Sequence, residues 1–372
     1  MNTLEDCCLK IFFSNIEDPR IDRTRLHNLI DILFVAICAS IAGADSWYDI
    51  AMFGRVNAEW FCRYLELPNG IPSHDTFARV FSLLDTKKLN QCFIDWINMM
   101  HTVSKGEIIA IDGKTIRNSF DKSTETKALH MVSAWAKDAS IVLGQVKTDQ
   151  KSNEITAIPK LLDLLSIKGA IVTIDAIGCQ KNIASKIVEK KADYVLAVKN
   201  NQKSLRRDIE DGFKHAQNIH HIFPSYSEAD KGHGRIETRT IDVINSLDWA
   251  PATLAWPGAK SICRLTSTRE IKGKISSEKR YYISSLSGNP SDFARAIRGH
   301  WGIENCLHWV LDVTFNEDKC RTRKWHAPEN LSLLRKVTMN MLKADPEKAS
   351  IKGKRKMAGW SKSYLEKVLW KK

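Results

Sequence analysis

Several things are scarce in this chain, and each scarcity narrows the field. Nine cysteines are scattered over 372 residues without a single C-x-x-C pair, and the adjacent Cys7 and Cys8 cannot easily bridge each other. An odd, unpatterned set fits a reducing compartment and suggests neither a disulfide framework nor a zinc site. Long apolar runs are missing too. The most apolar stretch, 29–43, is too short to span a bilayer and contains Asp31, so it reads as a buried helix. No basic segment with a cleavage site opens the sequence, so a cytoplasmic protein is expected. Internal repeats and low-complexity tracts are absent. So are three reaction signatures. Gly113-Lys114-Thr115 looks like the end of a nucleotide-binding P-loop, but the glycine needed five residues earlier is Ile108. An aspartyl-phosphate phosphatase would place a second Asp two residues after Asp112, where Lys114 stands. Gly-x-Ser-x-Gly, the serine-hydrolase elbow, occurs nowhere.

What is present is a folded, basic protein. Hydrophobic residues make up 43% and charged residues 27%, and the formal net charge is +13. Such an excess favours an acidic partner, nucleic acid first, although charge alone weighs equally for a generally basic surface. Ten Lys or Arg against three acids fall between Lys343 and Lys372. The segment 346–372 therefore reads as a basic C-terminal tail in which Lys352, Lys354, Arg355 and Lys356 neutralise phosphates, or as a solvated terminus.

Periodicity divides the rest. Residues 1–100 look helical, with apolar positions at Ile30-Leu33-Ile37 and Phe77-Val80-Phe81-Leu84. The stretch 67–72 is a turn by composition, and Ser73 can cap the next helix. A first core segment spans 101–214. It opens on the apolar run Ile108-Ile109-Ala110-Ile111, and strand-like runs follow at 129–136 and 140–146. Then come a helix at 154–165, a strand at 170–174, a helix at 181–191 and a strand at 194–198. Three antiparallel strands followed by parallel neighbours through helical crossovers is the order of a ribonuclease-H-like sheet. Residues 215–288 read as a mainly β insertion, and 289–345 return to helix. The expected class is α/β.

Two aspartates end core strands, Asp112 in Ile111-Asp112-Gly113 and Asp175 in Ile174-Asp175-Ala176. Neighbouring strands would bring them together, and adjacent carboxylates repel unless a cation bridges them. Hard divalent ions such as Mg2+ or Mn2+ take oxygen ligands, and two of them can activate an attacking oxygen and stabilise a leaving one. Either aspartate alone would read as a cap or turn residue. A third acid belongs on a helix against the sheet. Glu304 shares its helical face with His300, Trp301 and His308; a salt bridge to Arg295 or Arg298 is the bland reading, and Asp312, Glu317 and Asp318 are rivals.

Here the motifs resemble a known family. Residues 109–115, 147–155, 175–180, 233–237 and 300–309, then Asp312-Val313 and Asn316-Glu317-Asp318, are similar to the H-repeat-associated DDE transposases of bacterial insertion sequences. The similarity covers nearly the whole chain. It implies a ribonuclease-H-like core with a β insertion, with Asp112, Asp175 and Glu304 as the catalytic and metal-binding acids. Asp175 follows Asp112 by 63 residues and Glu304 follows Asp175 by 129, the long gap an insertion requires. It also implies double-stranded DNA as partner, Mg2+ or Mn2+ as cofactor, paired ends held by a homodimer, and a cytoplasmic, nucleoid-associated place of work. The N-terminal helical domain is left to recognise element ends. Related transposases often carry Arg four residues before the Glu and Lys seven after, where this chain has His300 and Leu311. Candidate DNA contacts are Lys114 and Arg117 past the first acid, Lys199 and Asn200 after the fifth strand, and His233 and Arg235 on the insertion. His300 could touch a phosphate, and Trp301 and Trp309 could stack on flipped bases or pack in the core. A nuclease without transfer activity and a silent DNA-binding relic are the competing functions.

Overall fold

The computed structural model describes residues 9, 12, 15–120, 125–149, 153–220, 222–232 and 234–370. Helices come first: α1 (Leu29–Ile41), α2 (Trp47–Val56), α3 (Ala58–Phe61), α4 (His74–Leu83) and α5 (Thr86–Met100). Ser73 caps α4 by accepting from the Thr76 amide at 3.2 Å. The preceding turn uses left-handed backbone at Leu67 and Gly70.

The core follows as β1 (Ile108–Ile116), β2 (Leu129–Ala136), β3 (Ile141–Lys147), α6 (Glu154–Leu164), β4 (Ile171–Ile174), α7 (Lys181–Glu189) and β5 (Asp193–Val198). Strands β1, β2 and β3 pair antiparallel, while β1, β4 and β5 pair parallel. The order β3-β2-β1-β4-β5 is that of a ribonuclease-H-like sheet.

After α8 (Lys203–Asn218), the β-rich stretch forms β6 (Ser225–Gly232), β7 (Arg235–Ile244), a short α9 (Pro251–Leu254), β8 (Ser261–Ile271) and β9 (Lys274–Ser284). These strands do not form a second sheet. Strand β9 pairs antiparallel with β5, so the meander β9-β8-β7-β6 extends the core sheet to nine strands. Lys272 and Gly273 both take positive φ at the β8–β9 turn, as a two-residue hairpin requires.

The chain closes with α10 (Pro290–Ile303), a π-helical turn (Glu304–His308), α11 (Trp309–Val313), α12 (Ala327–Ala344), α13 (Ile351–Trp360) and α14 (Lys362–Leu369). The last two helices correct the expectation of a phosphate-binding tail. Lys354 is buried and donates to the Leu342 and Asp345 carbonyls. Arg355 is buried and donates to the Ser40 and Thr314 carbonyls, with Asp45 at 2.8 Å. Their charges serve buried carbonyls and acids and are closed to DNA; Lys352 and Lys356 remain exposed. No helix of the described residues is long and apolar enough to cross a membrane.

Candidate active site

Side chains alternate across a strand, so Ile108, Ala110 and Asp112 share one face of β1, and Ile171, Thr173 and Asp175 share one face of β4 and its end. Helix α10 covers that face. Ile108, Ile171, Phe293, Ala296 and Ile297 form one buried cluster there. The register Ile108↔Ile171 and Ala110↔Thr173 carries Asp112 and Asp175 side by side past the last pair, Ile111↔Ile174.

The helix brings the third acid by the same geometry. A Cβ on Gly299 would lie 3.0 Å from Ile108 Cγ2, so glycine lets α10 sit low on β1. One residue on, His300 Nδ1 lies 3.2 Å from Thr173 Oγ1. Four helical residues rise about 6 Å and two strand residues about 6.6 Å. Glu304 therefore stands over the strand ends where Asp112 and Asp175 lie. It also opens the π-helical turn, in which the Trp309 amide bonds back to the Glu304 carbonyl. Single π turns recur at functional sites because one extra residue re-aims the side chains.

Electrostatics agree with this convergence. Burial first, and the charges of Glu154, Asp175 and Glu304 in the same direction, push the Asp112 carboxyl up to about 7. The bland reading of Glu304 does not hold. Arg298 pairs with Glu228 at 2.7 Å and Asp230 at 3.2 Å, and Arg295 donates to the Gly106 carbonyl at 2.9 Å. The rival acids are taken as well: Lys114 Nζ lies 2.7 Å from Asp312, 3.1 Å from Glu317 and 3.1 Å from Asp318. Among the described residues, no three Asp, Glu, His or Cys side chains stand close enough to hold a metal as they are.

The folded chain holds the Asp112 proton more tightly than the unfolded chain does. Its contribution thus favours folding below about pH 4 and is lost as pH rises toward 7. In metal-free buffer, Asp112→Asn is expected to stabilise the protein by on the order of 2 kcal/mol above pH 7 and by little near pH 4. Thermal melts in chelator at both pH values check this. Equal shifts at both would show that the acids do not strain one another.

The supporting residues differ from the sequence expectation in instructive ways. Lys114 is sunk among three carboxylates; burial opposes its charge, but Glu317 and Asp312 hold its ammonium firmly protonated. It is an internal counter-ion and has no free charge for a phosphate. His300 lies against the sheet on Thr173, and burial keeps its imidazole neutral. Arg117 is 82% exposed, with Nε 3.2 Å from Asp318. Lys199, Asn200 and Arg235 are exposed, and Asn200 accepts from Arg206. Trp301 and Trp309 are 49% and 58% exposed, so neither packs in the core. Arg280 lies over the Trp301 ring. His233 lies outside the described residues. Leu311 is buried, so the place where relatives carry a lysine offers DNA nothing.

Further side chains surround the acids. Glu154, the first residue of α6, accepts from His130 Nε2 at 2.8 Å, and His130 Nδ1 meets Thr115 Oγ1 at 2.8 Å. A Cβ on Gly113 would lie 2.1 Å from Glu154 Oε1, so Glu154 reaches the backbone beside Asp112. His308 Nδ1 comes within 3.5 Å of Asp112 Oδ2. Burial first, then Lys336 and Lys114, pull this imidazole down to about 3, so the contact is between neutral groups near pH 6. Asn201 and Gln202 donate to the Ala176 and Cys179 carbonyls and pin the loop behind Asp175. Glu154 and His308 stand in the motifs at 147–155 and 300–309, and Asn201 and Gln202 in the polar run after the fifth strand; His130 had no such signal.

A ribonuclease-H-like sheet with Asp112 and Asp175 ending neighbouring strands is the frame of a DDE-type nucleic-acid transferase. The chain belongs to the transposase DDE domain family, which it matches over residues 103–341, and the helical region matches the DDE_Tnp_1-associated family over 11–97. It is 47% identical to "Putative transposase YncI" of Escherichia coli O157:H7, over 96% of this chain and 93% of that one. It is 44% identical to "H repeat-associated putative transposase YhhI" of Escherichia coli K12, over 92% of each. A solved piggyBac transposase synaptic complex with hairpin DNA overlaps 97% of this chain and 80% of that one at a TM-score of 0.47 and 12% identity, too weak a likeness to bear on function.

Proposed function

We propose that this transposase cleaves DNA at the ends of an insertion sequence and joins them to target DNA, with Asp112, Asp175 and Glu304 holding divalent metal ions. The observation that supports this reading is the register that ends β1 and β4 side by side at Asp112 and Asp175, with the charge of Glu304, in the π turn, also acting on Asp112. The donor set suits Mg2+ or Mn2+, being carboxylate oxygen throughout. The charge that pushes Asp112 upward is what a cation would neutralise. Bound ions would activate the attacking oxygen and stabilise the leaving one.

The chain's own residues do the positioning. Gly299 and the His300–Thr173 contact seat α10, and the π turn aims Glu304. Asn201 and Gln202 fix the Asp175 loop, and Lys114 ties β1 to α11 and the segment after it. Arg117, Lys199, Asn200, Arg235 and Trp301 lie exposed and serve as DNA contacts. Water attacks the phosphodiester at the element end and frees a 3′-hydroxyl, which attacks target DNA in line, with no covalent protein intermediate. Two ends call for two copies of the chain, acting at the nucleoid in the cytoplasm, and the helical region 29–100 is assigned to end recognition.

A strand-transfer assay on short element ends with a supercoiled target tests the whole reading. Joined products are expected with Mg2+. Nicked ends without joining would leave a nuclease, and binding without either product would leave a relic.

A further inference from the structure

The segment Lys319–His326, between the acids of the Lys114 cluster and α12, carries four cations and no acid. Lys319, Arg321, Arg323 and Lys324 are all exposed, and no acidic partner is found for them among the described residues. Unpaired like charges in so short a stretch repel one another, so their company implies an outside anion.

The segment has little regular structure, yet it is pinned on every side. Asn316, in left-handed backbone, donates to Asp45 at 2.7 Å. Asp318 accepts from the Arg117 amide at 3.2 Å, and Arg323 lies over the Phe120 ring with Nε 3.5 Å from the Asn118 carbonyl. At the far end the His326 amide meets the Ser82 carbonyl. Residues 117–120 directly continue the strand that carries Asp112. The segment therefore has a fixed place against the continuation of the strand that carries Asp112. All four cations line one hollow, and Arg323 also lines a second. One, of about 900 Å3, is closed on its other side by the N-terminal helical region through Ser46, Ser73 and Arg79. The other, of about 370 Å3, holds Trp325 together with His130 and Glu154, the neighbours of Asp112.

We infer that this segment is a phosphate-backbone clamp that carries duplex DNA between the helical region and the acid site. The inference rests on the transposase reading above. Fixed, solvated Lys and Arg contact phosphates without reading sequence, and each contact steepens the salt dependence of binding. Trp325, 68% exposed at the mouth of the second hollow, adds a flat apolar face beside them.

The test is the binding of an element-end duplex by fluorescence anisotropy across a NaCl series. In Lys319→Gln/Arg321→Gln/Lys324→Gln, the log–log salt slope is expected to flatten by about 2 to 3, with affinity down tenfold or more near 0.1 M salt. Arg323 is left in place because it packs on Phe120. A control, Lys348→Gln/Lys352→Gln/Lys356→Gln, removes equal charge from the exposed C-terminal region and should change the slope less. Lys319→Arg/Lys324→Arg keeps the charge and should bind as the parent does. An unchanged slope in the triple variant overturns the inference, as does an equal loss in the control. Failure of the transposase reading would show elsewhere, as retained cleavage by Asp112→Asn, whatever the salt slopes.

Discussion

Asp112→Asn is expected to lower Mg2+-dependent strand cleavage by on the order of a thousandfold or more, while end-duplex affinity stays within about twofold. The split follows from position. Asp112 is half-buried at the centre of the acid group, with Asp175, Glu304 and Glu154 around it, and the exposed cations lie elsewhere. Asn preserves shape and removes charge, so the loss isolates the carboxylate. The parent protein is also expected to melt higher when Mg2+ is added, because a ligand bound only by the folded state stabilises it, and the variant should lose most of that rise. Wild-type cleavage by the variant, or equal Mg2+ shifts in both proteins, would remove Asp112 from the site.

The largest stability effect is expected at Glu317. Its carboxylate is buried, 3.1 Å from Lys114, 3.7 Å from Arg335 and 3.0 Å from the Ser332 hydroxyl. Lys336 lies close by, and burial already pulls its ammonium down to about 8. Glu317→Ala leaves those cations without their shared anion, a loss of about 3–5 kcal/mol, or a melting point lower by roughly 5–10 °C. Burial alone would raise the Glu317 carboxyl, but Lys336, Arg335 and Lys114 together hold it low. Its contribution is therefore present above its ordinary range and fades as pH falls, so Glu317→Gln should differ least from the parent in acid. Melts within about 1 kcal/mol of the parent at neutral pH would show that the cluster does not anchor the fold.

The core strands were legible because each is a short apolar run bounded by turn residues, as 108–111 and 170–174 show. Strand β6, Ser-Tyr-Ser-Glu-Ala-Asp-Lys-Gly, was not: it is exposed almost throughout, so nothing buried imposes a period on its side chains. Helix α8 went unremarked although its buried positions Leu205, Ile209 and Phe213 have helical spacing. Asp112, Asp175 and Glu304 are proposed as a set through long motifs, since each alone reads as a cap or an ion pair. Lys114 was misread because its partners lie about 200 residues away, and nothing local distinguishes a buried cation from a free one. A greater distance hid the role of Arg355, which meets Ser40 and Asp45 in the N-terminal helical region, whereas Lys354 turns back on Leu342 and Asp345 close by in the chain.

The closing helices reach back to the beginning of the chain. Glu366 accepts from Trp60 Nε1 at 2.7 Å and from the Tyr64 hydroxyl at 2.9 Å, and Trp370 stacks near Phe34 and Tyr64. Those partners are synthesised some 300 residues apart. On the ribosome, the helices at 29–61 must wait for residues 360–370 before this part of their apolar surface is covered. A copy shifted out of frame before residue 351 would thus leave the helices at 29–61 without that cover, although Asp112, Asp175 and Glu304 are all still encoded.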